Sequence, residues 1–313
     1  MTISAFIRSM QQITRRGNRH CRRATPLASL TEKHRGDRMR DRRTTMRDHR
    51  SQEVTSMDIS YHETQDRLTN RIRAHKMFGN FDITDWIDDF VGRRPRTNIL
   101  DLGCGDGNHI DLYLRHVGET GTVTGADRDA ALIDRARSRY SDAKNLTLRV
   151  GSMDEKLPFE DGAFDLCMVT FAIYNAKDAE YTLRELHRVL GKNGELVMIG
   201  PTANNVAELY EFNEKVTGRK ADEKTLRRSE RIVKEFLPLA LGMFGSVQGE
   251  VINSVLTFPN SEEFLRYFCS TLLYEEIAER EGLSLDDLKA YCPPSGAMPV
   301  SKEMVAVVAT KSS

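Results

Sequence analysis

NILDLGCGDGNHI, residues 98–110, places three glycines two residues apart directly behind an apolar run. The run NILDL reads as a strand ending at Leu102. A turn follows that carries Gly103, Gly105 and Gly107, and a helix begins just beyond. Glycine lets the backbone turn sharply and approach a ligand with no Cβ in the way. In an open α/β sheet, ligands bind off the carboxyl ends of the strands where the strand order reverses.

A glycine turn alone suits NAD, FAD or S-adenosylmethionine. Two details narrow the choice. The spacing is GxGxG rather than the dinucleotide GxGxxG, and an acid, Asp101, stands two residues before the first glycine. A carboxylate there suits a cationic ligand head and would repel a pyrophosphate. A second acid, Asp127, falls 24 residues after Gly103 at the end of the next strand. Nucleotide sites on α/β sheets place a carboxylate there to accept the ribose hydroxyls. Asp129 is the expected N-cap of the following helix.

Outward from this stretch, short apolar runs recur at 98–102, 122–126, 146–150, 164–169 and 195–199. Helical patterns lie between most of them, notably 107–117, 129–139 and 177–190. Strands that are apolar throughout, alternating with helices, predict an α/β fold with a doubly wound, mostly parallel Rossmann-like sheet and helices on both faces. Two helices precede the sheet. One places Leu68, Ile72 and Met77 near helical spacing. The other places Ile83, Trp86, Ile87 and Phe90 on one face, with Asp82 as N-cap and Gly92 as stop. After Gly200 the rhythm breaks into helical patterns at 204–217, 222–240 and 260–281, interrupted by strand-like VINSVLTF and closed by EMVAVVAT. These extra helices predict an insertion, near 202–248 and 260–300, forming a lid over the ligand edge.

The ordered pieces LDLGCGDG, VTGADRD, GSMDEKLPFEDGAFDLCMVTFAIYN and LRELHRVLGKNGELVMIGP resemble the class I S-adenosylmethionine-dependent methyltransferases, in the small-molecule, type 11-like branch. The resemblance covers roughly residues 80–200. It implies S-adenosyl-L-methionine as cofactor, with Asp101, Gly103 and Gly105 around its methionine portion and Asp127 on its ribose. Gly107 completes the implied glycine set, Ser152 and Met153 would flank the adenine, and the residues after the fourth strand would face the transferred methyl. Three departures stand out. Asp154 is displaced by two positions from where the family often carries an acid, Tyr174 and Asn175 replace a His pair, and Lys192-Asn193-Gly194 replaces a Pro-Gly-Gly turn.

Methyl transfer is a direct displacement, so the protein mainly aligns nucleophile and methyl carbon. Tyr174 and Asn175, directly after the fourth strand, are the candidate catalytic pair. Thr202, Asn204 and Asn205 reach the same edge, with Asn204 also a candidate helix cap. His109 and His187 read as helix-face residues, and His75 and Lys76 as an exposed helix end. No metal-ligand spacing occurs among the His and Cys residues. TFAIYN stands where a nucleobase amine methyltransferase would carry an Asn/Asp-Pro-Pro-aromatic tetrad. A small-molecule acceptor is therefore expected.

The formal charge of zero hides an asymmetry: residues 1–56 hold 14 Lys/Arg and 5 Asp/Glu, leaving the remainder acidic by nine charges. Residues 1–56 are expected to be a disordered Arg-rich extension preceding a methyltransferase domain at 57–313. Their acid-free first 31 residues also resemble a mitochondrial presequence. The expected location is cytoplasmic, or the mitochondrial matrix under that second reading. An Arg tract could instead hold RNA, which keeps a nucleic-acid-associated methyltransferase or RNA-binding factor as an alternative. An NAD-dependent oxidoreductase is a second one. No apolar run approaches the roughly 18–20 residues that span a bilayer.

Overall fold

The computed structural model describes residues 65–221, 223–275 and 281–313. The basic segment 1–56 and the boundary at Met57 lie outside the described residues.

Two helices, α1 (Gln65–Phe78) and α2 (Ile83–Val91), lead into β1 (Asn98–Leu102). There follow α3 (Ile110–Val117), β2 (Thr122–Asp127), α4 (Ala130–Arg139), β3 (Leu146–Val150) and β4 (Phe164–Thr170). A 3₁₀ turn (Ile173–Asn175) joins β4 to α5 (Ala179–Val189) and β5 (Leu190–Pro201). The second half comprises α6 (Ala207–Thr217), α7 (Glu223–Arg231), α8 (Leu237–Met243), β6 (Ser246–Phe258), α9 (Ser261–Phe268), α10 (Leu285–Lys289) and β7 (Met298–Thr310).

All seven strands form one sheet in the order β3-β2-β1-β4-β5-β7-β6. The first five pair in parallel, and β7 enters antiparallel between β5 and β6. The strand order reverses between β1 and β4, so the glycine turn sits at the switch point. Alternate side chains enter opposite layers. Leu100, Cys167, Leu196 and Val307 pack under α5 and α8, whereas Ile99, Leu166, Val197 and Ala306 pack under α2 and α3. Each fully buried aliphatic side chain of this kind contributes about 1.5–3 kcal/mol.

β6 and β7 pair over thirteen residues, from Ser246↔Thr310 to Phe258↔Met298, while β5 pairs only with Met304–Thr310. The ribbon therefore overhangs the sheet. Its tip, with Leu256, Phe258 and Val300, packs against Phe212 of α6 and Phe264 and Phe268 of α9. This is the helical insertion.

The caps expected at Asp82 and Asp129 form: Thr84 N–H donates to Asp82 at 2.8 Å, and Ala131 N–H to Asp129 at 2.8 Å. Other details differ. The helix expected over 222–240 is broken by a π turn at Ile232–Phe236, because Pro238 in the first turn of α8 has no N–H to continue the α ladder. On α1, Met77 is 60% exposed; the buried face runs through Ala74 and turns His75 inward. Asn204 caps no helix: α6 begins after Val206 with no side-chain cap, and the Asn204 amide donates to Glu303 at 2.9 Å.

Candidate active site

The carboxyl ends of β1, β2 and β4 open into one cavity of about 500 Å³. Its floor is the glycine turn. Gly103 has φ +83°, and a Cβ there would sit 2.3 Å from the Ala172 Cβ, so the turns after β1 and β4 meet at van der Waals distance only because residue 103 is glycine. Gly105 has φ +57°, and a Cβ there would meet nothing within 4 Å. It lines the cavity, leaving the backbone open to a ligand.

The Gly105 N–H donates to Asp127 Oδ2 at 2.9 Å, and the Asp129 N–H donates to Asp127 Oδ1 at 2.9 Å. A carboxylate offers about four lone-pair sites, so two remain for a diol. Asp101 lies deeper, 2% exposed, and accepts no hydrogen bond among the described residues. Burial, and secondarily repulsion by Asp127, raise its pKa to about 7. A buried carboxyl with no partner is costly, and a bound cation would complete it. These residues fit the ammonium and ribose of S-adenosylmethionine: an orphaned acid for the first, a half-used carboxylate for the second, and an open backbone between them.

Ser152 and Met153 line the cavity beyond the end of β3. The Ser152 hydroxyl accepts the Asp154 N–H at 3.1 Å, and the Asp154 carboxylate accepts the Lys177 N–H at 2.7 Å. Asp154 thus already pins the loop before α5. Gly107 belongs elsewhere. It is absent from the cavity lining, and a Cβ there would press on Tyr140 at 2.8 Å and Ile110 at 2.9 Å. The missing Cβ there makes room for the turn to pack against α3 and the residue after α4.

Tyr174 and Asn175 line the cavity on the turn after β4. The turn is clamped from the insertion: the Arg231 guanidinium, 5% exposed, donates to the Tyr174 carbonyl at 2.8 Å and the Ala176 carbonyl at 2.5 Å. Of the trio after β5, only Asn205 reaches the cavity, with its Oδ1 buried and unpartnered among the described residues. Thr202 and Asn204 both bond to Glu303 instead.

Two histidines take different places from those expected. His109 lines the cavity, and burial lowers its pKa to about 4. His75 lines it too, packed edge-on against Tyr267 at 6.0 Å; burial first, then Lys302 and Arg71, lower its pKa to about 3. His187 packs on Phe244 at 5.1 Å, away from the cavity. The far end of the cavity includes Arg71, Ser254, Tyr267 and Lys302, none of which the sequence singled out.

Residues 99–194, which hold the glycine turn and both acids, match the family described as methyltransferase domain. Over these residues the chain carries a methyltransferase domain. Curated relatives of this domain include the 2-phytyl-1,4-naphtoquinone methyltransferase of Nostoc sp. PCC 7120, 31% identical over 151 residues, or 42% of this chain and 65% of that protein. The demethylmenaquinone methyltransferase of Staphylococcus aureus is 33% identical over 136 residues, 43% of this chain and 54% of that protein. The matches thus span between half and two thirds of these relatives' lengths. A solved structure from Bacillus halodurans C-125 superposes at TM-score 0.51 with 16% identity, covering 74% of this chain and 99% of that one. It shares the methyltransferase domain's fold. Among the described residues no helix is long and apolar enough to cross a membrane, and no metal-binding cluster of acids, His and Cys occurs.

Proposed function

We propose that the protein transfers the methyl group of S-adenosylmethionine to a small-molecule acceptor by direct displacement. The observation that carries this is the pairing of two acids on one glycine turn: orphaned Asp101 beneath it, and Asp127 bonded to its Gly105 N–H. When bound, the cofactor supplies a methyl carbon already activated on a sulfonium. Asp101 would hold its ammonium group, Asp127 its ribose hydroxyls, and Ser152 and Met153 the flanks of its adenine. Tyr174, Asn175 and Asn205 would orient the acceptor at the end of β4. Neutral His109 at the same wall is available to accept a proton if the acceptor must lose one.

The relatives named above act, by their names, on naphthoquinone and menaquinone compounds. The family match ends at residue 194, before β6, β7 and α9, which build the other end of the cavity. The residues proposed for the cofactor lie within the matched segment, whereas β6, β7 and α9 lie beyond it. Titration of the full chain with S-adenosylmethionine and its demethylated product, with NAD as the comparison, tests the cofactor. Incubation of labelled cofactor with a metabolite panel tests the transfer.

A further inference from the structure

The cavity lining carries Asp101 and Asp127 where β1 and β2 end, with Arg128 beside them, and Lys302 of β7, four strands from β2, with Arg71 of α1. Lys302 is 8% exposed and sits in register with Ser254 across β6 and β7, with both side chains at the cavity wall. No carboxylate lies within ion-pair distance of its ammonium among the described residues, and it makes no hydrogen bond there. The nearby acid, Asp82, is exposed, caps α2 and acts on His75. Burial, then the Arg71 guanidinium, lower the Lys302 pKa to about 8, so it stays mostly cationic at neutral pH. Ile72, Leu272 and Met304 line the cavity beside it.

A buried ammonium without a counter-ion is unfavourable until an anion reaches it. Asp101 and Asp127 meet the cofactor's ammonium and ribose at the ends of β1 and β2, four strands from β7 in the case of Asp127; were Lys302 to hold the cofactor's carboxylate instead, Lys302→Met would weaken S-adenosylhomocysteine binding. We infer that Lys302, with Ser254, seats an anionic oxygen of the acceptor, whose apolar body rests on Ile72, Leu272 and Met304. The acceptor class is thus an apolar ring or chain bearing a carboxylate or an ionised hydroxyl. Its identification as the acceptor, though not the anion site itself, rests on the methyl-transfer reading.

The test is calorimetric titration of the full chain, with and without S-adenosylhomocysteine. The probes are 2-naphthoate and 4-nitrophenolate, each compared with its neutral counterpart, 2-naphthamide or 4-nitroaniline. At least one anion should bind about tenfold or more tightly than its counterpart, as a charge-assisted contact demands. The tighter anion distinguishes carboxylate from ionised hydroxyl. Lys302→Met should abolish that preference while changing S-adenosylhomocysteine affinity by less than about twofold. Equal binding of anions and neutral probes by the wild-type chain would overturn the inference, and that comparison needs no variant. An anion preference that persists in folded Lys302→Met would overturn it too. Failure of S-adenosylhomocysteine to bind would instead sink the methyl-transfer reading, leaving the anion comparison intact.

Discussion

The Gly105 N–H and the Asp127 carboxylate are 2.9 Å apart, so the turn after β1 and the end of β2 form one rigid unit. Removing the carboxylate should release the turn and delete the ribose acceptors together. Asp127→Ala is expected to weaken S-adenosylmethionine binding by about 1.5–3 kcal/mol, the scale of hydrogen bonds to a charged group. Calorimetry on wild type and variant measures it; an unchanged affinity would remove Asp127 from the ribose.

Asp101 should make both stability and binding depend on pH. Its folded pKa, about 7, lies above that of an unfolded carboxyl. The proton it keeps on folding stabilises the native state fully below pH about 4, and that contribution is lost as pH rises to about 7. Asp101→Asn should therefore gain in melting temperature over wild type across that window, with a constant gap above it. Binding an ammonium needs the ionised form, so wild type should release a proton on binding below about pH 7. Titration in buffers of different ionisation enthalpy would detect this release, and Asp101→Asn should lose it.

Arg231 ties the insertion to the turn that presents Tyr174 and Asn175. Arg231→Met leaves two carbonyls without their donor and should destabilise by about 2–4 kcal/mol in denaturant titrations. A loss below about 0.5 kcal/mol would show that the clamp contributes nothing.

Tyr174→Phe keeps the ring and removes only the hydroxyl. Asn175→Ala removes an amide. Each should lower single-turnover rate about 10–1,000-fold, the range for a misplaced reactant or lost proton acceptor, with cofactor affinity within about 1 kcal/mol. Normal turnover in stable variants would move the acceptor contacts to Asn205.

The strand-end placement of Asp101 and Asp127 was legible because strand periodicity and turn chemistry are local: each acid sits near a strand's carboxyl end beside glycine or a helix cap. The packing at Gly107 was not legible, because glycine spacing does not say whether a missing Cβ makes room for a ligand or for Tyr140. The α1 face was misassigned because Met77 is apolar yet exposed, while the face that turns inward carries Arg71 and His75. Lys302 and Ser254 were invisible for a topological reason. They meet only because β7 threads antiparallel between β5 and β6, and no short stretch of sequence encodes that register.

The central claim, that the glycine turn cradles S-adenosylmethionine, meets its most direct test at Gly105, where an added Cβ would meet no protein atom within 4 Å and would point into the cavity that the residue lines. Residue 105 has positive φ, so some loss of stability accompanies any substitution, and a circular dichroism spectrum must establish that the variant is folded. S-adenosylhomocysteine should bind the wild-type chain and fail to bind folded Gly105→Val, with NAD binding neither. Equal binding of S-adenosylhomocysteine to both proteins, or binding of NAD in its place, would contradict the account.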